Sequence, residues 1–257
     1  MKHRSVLFQN TVLRKALVAL FWLVLWQVIA TLVNKPVLFA SPAQTVKALL
    51  LLLPKKTFWQ AAVSSLLRIA AGFFLALILG LLVGVAAWRW APLRSLLSAL
   101  LTFLKSVPVA SFIILILVWF GSGSLTVIVS AIIVFPLIYF ATVNGLSSAD
   151  RSLLEMARVF RVNSLRTVMS IYRPAVMPYL LNACSSALGM CWKAGIAAEV
   201  IGTPLHSIGA QMYDAKLYMD TAALFAWTAV IIFLSLLFEK LVIRLLRKIG
   251  GCYGHKT

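Results

Sequence analysis

Charge is scarce in this chain, and acidic charge scarcest: 12% of its 257 residues are Asp, Glu, Lys or Arg, and only six are acidic. A soluble domain commits about a quarter of its residues to charge. The six acids, from Asp150 to Glu239, are scattered, so no convergent nucleophile, acid–base or metal set can be read, which argues against a membrane-embedded enzyme. Cysteine is equally sparse. Cys184, Cys191 and Cys252 include no CxxC pair, so no disulfide framework or zinc site is implied. Cys184 and Cys191, seven apart in an apolar run, read as small packing residues on one helix face. No Lys follows a Gly, so the Gly-Lys of a phosphate-cradling loop is missing. His3 and His206 stand alone in polar segments, as ordinary surface histidines do.

What is present is apolar sequence, 62% of the chain. That exceeds what one globular core can bury, so lipid must be the solvent for much of it. The net charge of +18 could signal nucleic acid, but the basic residues sit between apolar runs, as membrane topology requires. The composition therefore predicts an all-α polytopic membrane protein with about six transmembrane helices, forming one transmembrane domain over residues 1–257.

The runs set the spans at about 16–33, 62–88, 93–120, 125–143, 178–201 and 222–243. The first run is longer than the apolar part of a cleaved signal, so a retained helix is expected. Ser41-Pro42 opens a shorter stretch, Val46–Leu53, ended by Pro54-Lys55-Lys56; it reads as an interfacial helix. Gly80 and Gly84 form a small-xxx-small pair that permits close helix approach, and Arg68 can snorkel from the start of its span. Lys105-Ser106-Val107-Pro108 breaks the third run and predicts a kink or a short inner helix. Gly121-Ser122-Gly123-Ser124 predicts a tight turn, and Asp220 a cap on the sixth span. Trp88, Trp90, Trp119 and Tyr172 lie near span ends, as interfacial aromatic belts predict.

Lys and Arg counts orient the chain. With the N-terminus inside, inner segments hold 16 basic residues and outer segments 5, so both termini are expected on the cytoplasmic side. Lys193 and Glu199 fall in or near the fifth span, where charge is costly and often functional. Six residues apart, they point to different sides of a helix. Two readings stand for each: Lys193 lines a passage and Glu199 closes an outer gate, or each pairs with another helix or subunit. A lysine in a passage favours an anionic solute.

The polar loop 145–177 is the most informative segment. Leu153, Leu154, Ala157 and Phe160 recur at helical spacing, with Arg151, Glu155 and Arg158 elsewhere on the wheel. Asn163-Ser164 offers a cap for a second amphipathic turn that runs from Leu165 to Ile171 before Pro174. Such a helix–turn–helix can lie on a membrane or dock in a partner's groove.

This stretch resembles the EAA loop of ATP-binding-cassette (ABC) import permeases: Glu-Ala-Ala, three residues, Gly, nine residues, Ile, one residue, Leu-Pro. Glu155, Ala157, Ile171 and Pro174 stand at the matching places, with Met156, Arg161 and Arg173 as departures. Arg161 replaces the glycine of the turn, and Asn163 is the residue expected to supply a left-handed conformation instead. Ser106-Val107-Pro108, Val118-Trp119-Phe120-Gly121, Gly189 and Ala197-Ala198-Glu199-Val200-Ile201-Gly202 are similar to the sulfonate, taurine and nitrate branch. The resemblance runs from about Leu38 to Leu246.

The resemblance implies a type I ABC importer permease fold in the bacterial plasma membrane, working as a homodimer with two ABC ATPases and an extracytoplasmic solute-binding protein. ATP and Mg would bind the ATPases, and this chain would hold no cofactor or metal and catalyse nothing. Glu155, Met156, Ala157, Arg158, Phe160, Arg161, Ile171 and Pro174 would couple to the ATPase. Ser106, Pro108, Gly189, Lys193 and Glu199 would belong to the translocation pathway or its gate. A small anionic or polar nutrient would be carried. The rival reading, an ion-gradient-driven secondary transporter, calls for intramembrane acids and inverted repeats, and neither is evident.

Overall fold

Apolar side chains on every face drive a helix into lipid, and the first helix of this chain shows that behaviour in its simplest form. In the computed structural model, which describes residues 11–250 except Pro36, α1 (Thr11–Val33) buries none of its most apolar window against the protein. All regular elements among the described residues are helical. Among the described residues, four helical stretches are long and apolar enough to cross a membrane: Leu13–Val33, Lys56–Arg89, Val109–Ser147 and Thr221–Lys248. The N-terminal basic residues Lys2 and Arg4, His3, and Cys252 and Lys256 lie outside the described residues.

The described residues form two compact units. The first comprises residues up to Trp59 with Gln211–Val230. Within it α1 is followed by α2 (Pro42–Leu52), the helix expected from Ser41-Pro42. Ser41 and Gln44 form a reciprocal capping box, Ser41 Oγ accepting from the Gln44 N–H and Gln44 Oε1 from the Ser41 N–H at 2.9 Å. Trp26 Nε1 donates to the Ala40 carbonyl, and its ring packs on Phe225, which also meets Phe39. Phe58 stacks on Trp227 at 5.0 Å between ring centroids.

The second unit, Gln60–Ala210 with the described residues from Ile231 on, holds the candidate site. It contains most of α3 (Lys56–Arg89), then α4 (Ala91–Ser106) and α5 (Val109–Ser147). The Gly80–Gly84 pair does what its spacing predicts. A Cβ on Gly80 would stand 2.8 Å from the Ile138 Cβ, and one on Gly84 2.7 Å from the Thr142 Cβ, so only glycine admits α5 this close to α3.

The third apolar run is two helices. Val107 (φ −74°, ψ 133°) and Pro108 (φ −58°, ψ 131°) are extended, so α4 stops at Ser106 and α5 begins at Val109. The expected turn at 121–124 contracts to one residue, Gly121 (φ 70°, ψ −179°), a conformation open in practice only to glycine. There α5 folds back on itself. In a straight helix Val109 and Ile133 would lie roughly 36 Å apart. Instead they line one cavity, and Ile113, Ile116, Leu125 and Val129 share one buried cluster with Ala194 and Ala198.

After a short helix α6 (Arg151–Val159) and one turn, α7 (Ser164–Thr167), a π-helical turn over Val168–Tyr172 leads into α8 (Arg173–Gly202), which packs along α5. α9 (Ile208–Leu217) and α10 (Thr221–Gly250) complete the described residues. Asp220 caps α10 as expected, Oδ1 accepting from the Ala223 N–H at 3.0 Å.

Candidate functional site

The loop between α5 and α8 is built by capping. Asp150 starts α6 by accepting from the Ser152 N–H at 2.9 Å and the Ser152 hydroxyl at 2.7 Å. The hydroxyl bond first, then the backbone bond, holds the Asp150 carboxyl below the usual carboxylate range. At the other end the Val162 N–H reaches the Ala157 carbonyl (2.9 Å) and the Arg161 N–H the Arg158 carbonyl (3.1 Å). This Schellman pattern needs a left-handed residue at Arg161, whose φ is 49°.

The sequence assigned that conformation to Asn163, and the structure corrects it. Asn163 (φ −58°, ψ 140°) is extended, and its Oδ1 accepts from the Leu165 N–H to cap α7. An N-cap needs extended backbone, so the same residue cannot also be left-handed. Arg161 itself is therefore left-handed, a conformation glycine would hold without strain.

The loop places its expected coupling residues on a free surface. Glu155, Met156, Arg158, Phe160 and Arg161 are exposed, while Ala157, Ile171 and Pro174 are half-buried. The exposed apolar face differs from the one read off the wheel. Leu154 and Ala157 turn inward, and Val159 (78% exposed), Phe160 (73%) and Leu165 (73%) stand out with Met156 and Leu153. Ile171 and Tyr172 lie in the π turn, and Tyr172 packs edge-on against Trp88 at 5.3 Å. Pro174 follows directly. It has no N–H to give the carbonyl four residues back, and a widened turn is one way a helix absorbs that loss.

Lys193 and Ala197 of α8 line a cavity of about 520 Å³. Leu104 and Lys105 of α4, Val107 of the break, and Val109, Ile132 and Pro136 of α5 complete most of its wall. Ser106 sits at the same break, its hydroxyl donating back to the Thr102 and Phe103 carbonyls, and Pro108 is the N-cap of α5. Gly189 lies on the exposed face of α8, one residue from the lining Met190, with open space where a Cβ would be. Lys105 is a residue that sequence reading missed. It was read only as the first residue of the helix break, not as part of the site.

Glu199 lies elsewhere. Its side chain is fully buried, about 120° around α8 from exposed Lys193. Oε2 accepts from the Ser65 hydroxyl at 2.6 Å and the Gly209 N–H at 3.2 Å, and Oε1 stands 4.0 Å from Arg68 Nη1. Arg68 Nη2 donates to the Leu205 carbonyl, and Ser65 Oγ accepts from the Ile208 N–H. The carboxylate thus meets the N-terminus of α9, where helix dipole and free N–H groups favour negative charge. Arg68, expected to snorkel, instead reaches Glu199 and the Leu205 carbonyl. Its partners lie 131 and 137 residues away, beyond the reach of periodicity.

These features define a polytopic all-helical membrane protein with a polar loop that presents a capped, partly apolar helix pair and a cavity lined by α4, α5 and α8. The chain belongs to the binding-protein-dependent transport system inner membrane component family, whose profile matches residues 72–249. It is accordingly an ABC transporter permease, with the EAA-type loop inside the matched segment. It is 25% identical to the taurine transport system permease protein of Escherichia coli over 239 residues, 90% of this chain and 86% of that one. It is 31% identical to the bicarbonate transport system permease protein of Synechococcus elongatus over 63% of this chain and 59% of that one. A Bacillus subtilis permease named for aliphatic sulfonate transport is 28% identical over 72% of this chain and 67% of its own length. Among solved structures, a chain of the methionine ABC transporter MetNI in an inward-facing conformation matches with a TM-score of 0.50 at 17% identity. That match covers 73% of this chain and 93% of the other, and the shared fold is that of a type I importer permease.

Proposed function

We propose that this chain is the solute-conducting subunit of an ATP-driven importer for a small anionic nutrient, coupled through residues 145–177 to an ATPase made as a separate chain. The observation that carries the reading is the exposed Glu155–Pro174 loop, with motif spacing intact and its apolar side chains uncovered, inside a segment matched by the family. A face holding Met156, Val159, Phe160 and Leu165 in water is costly unless a partner covers it. ATP and Mg would bind the ATPases, and the permease would bind neither. Two permease copies, two ATPases and an extracytoplasmic binding protein complete the assembly, with both permease termini in the cytoplasm of a bacterium. Closure of the ATPases would move the loops, and the helices around the Lys193 cavity would exchange inward for outward access. Relatives named for bicarbonate and aliphatic sulfonate transport support an anionic solute, and taurine, a zwitterion, carries the same sulfonate group.

The test is a pull-down from membranes in mild detergent, with wild type beside Glu155→Ala and Ala157→Asp. Wild type should bring down an ATPase, and the variants should lose it or uncouple its hydrolysis from transport. If no ATPase associates, or both variants couple normally, the reading fails and the gradient-driven alternative leads.

A further inference from the structure

The cavity wall carries two cations and no anion. Of its twelve lining residues, ten are apolar or small and the other two are Lys105 and Lys193. Among the described residues the ion pair is that of Arg68 and Glu199, so neither lysine is neutralised by a carboxylate. The Lys105 ammonium rests over the Phe140 ring, 4.1 Å from its centroid. A cation–π contact holds an ammonium in place yet leaves its N–H donors free for a stronger acceptor. The two lysines come from separate elements, α4 and α8, and meet the same space because Val107 and Pro108 break the helix beside Lys105. Unpaired charge in an apolar setting is costly and marks a binding function. A volume of about 520 Å³ suits a small molecule.

Resting on the importer reading above, we infer that Lys105 and Lys193 form an anion-binding site within the permease itself. Its ligand is a small oxyanion, sulfonate or carboxylate, whose short apolar tail lies against Ile132, Ile133, Pro136 and Met190. The lysines take the headgroup through charge-assisted hydrogen bonds, and the apolar wall, having no competing acceptor, leaves them to it. Lys105 exchanges the Phe140 face for the ligand.

The experiment uses full-length chain in lipid nanodiscs, with lysines reductively methylated with carbon-13, a change that keeps their charge. Lys105→Arg and Lys193→Arg assign the two resonances. Titration with ethanesulfonate and with propanoate should shift both resonances saturably, and the tighter of the two identifies the headgroup. The neutral analogue dimethyl sulfone should shift neither. Lys105→Gln and Lys193→Gln should each weaken binding about tenfold or more, while the Arg forms bind within about threefold of wild type. Glu155→Ala should leave the titration unchanged, and thermal unfolding checks that each variant is folded. The site is overturned if neither anion saturates, if dimethyl sulfone acts alike, or if both Gln variants, folded, bind as wild type does. An associating ATPase with silent lysines would sink the site and leave the importer reading standing; saturable anion binding without an ATPase would do the reverse.

Discussion

The cluster around Glu199 and the loop around Glu155 use the same chemistry to opposite ends. At Glu199 the polar groups are spent internally. One carboxylate ties α8 to Ser65 and Arg68 of α3 and to the first turn of α9, and no part of its side chain meets solvent. In the loop, Glu155, Arg158 and Arg161 stand exposed, and the hydrogen bonds that shape the segment are local caps. The first arrangement fixes helices that must stay together. The second holds a short shape ready for something outside the chain. Substitutions should therefore divide: those at Glu199 destabilise, and those on the loop surface change association with little effect on the fold.

The largest expected effect falls on Glu199. Glu199→Ala strands two buried donors, the Ser65 hydroxyl and the Gly209 N–H, and removes the counter-charge of Arg68; each orphaned buried donor costs about 1–3 kcal/mol. Arg68→Ala should cost less, because Glu199 keeps its bonds from Ser65 and the Gly209 N–H and loses only a long 4.0 Å ion contact. Thermal unfolding of the detergent-purified chain measures both. The comparison breaks if Glu199→Ala unfolds with wild type but changes transport, because Glu199 would then be a gate residue and its bonds incidental.

How far the sequence revealed each region follows from where the informative contacts lie. The loop was readable because its determinants are local. Asn163 and the Glu155–Pro174 spacing act within a few residues of themselves, and Asn163 caps α7 where its residue type places it; the Asp150 cap is equally local but was not read. The left-handed residue was misplaced because Asn prefers that conformation intrinsically, while the chain had already committed Asn163 to a cap. The helices were readable from apolar runs, and the close approach at Gly80 and Gly84 from its spacing. The fold-back at Gly121 and the helix break at Pro108 were marked by their own residues. What these bends bring together was not marked. Lys105 reaches the Lys193 cavity, and Arg68 reaches Glu199, only through tertiary geometry, and a single sequence carries no signal for pairs so far apart.

A smaller effect is expected at Arg161, whose left-handed backbone is costly for any residue with a Cβ. Arg161→Gly should stabilise the α6–α7 turn by about 1 kcal/mol, the steric relief being partly offset by glycine's greater freedom when unfolded. Slower amide exchange at Val162, whose N–H closes the Schellman bond, would register it. Arg161→Val should do the opposite, since a β-branched residue tolerates this conformation least. If glycine speeds exchange there, the arginine side chain holds the turn, and the loop is less autonomous than the comparison requires.

The smallest effect belongs to Asp150, and its sign is set by linkage. Bonds from the Ser152 hydroxyl and N–H favour the ionised carboxylate, so the folded group titrates lower than it would in an unfolded loop. The resulting stabilisation is fully present above the ordinary carboxylate range and is lost as pH falls through the folded-state value. Mild acid should therefore leave the first turn of α6 intact, and stronger acid should loosen it before the buried helices respond. Asp150→Asn separates capping from charge. Asparagine caps as well as aspartate but does not titrate, so amide exchange at Ser152 should lose its pH dependence beyond the intrinsic chemistry while protection at neutral pH persists. If the Asn variant still loosens in acid, the first turn is held by contacts other than its cap. Its stability would then come from the body of the protein, as at Glu199, and the division between the two regions would fail at the point where the loop begins.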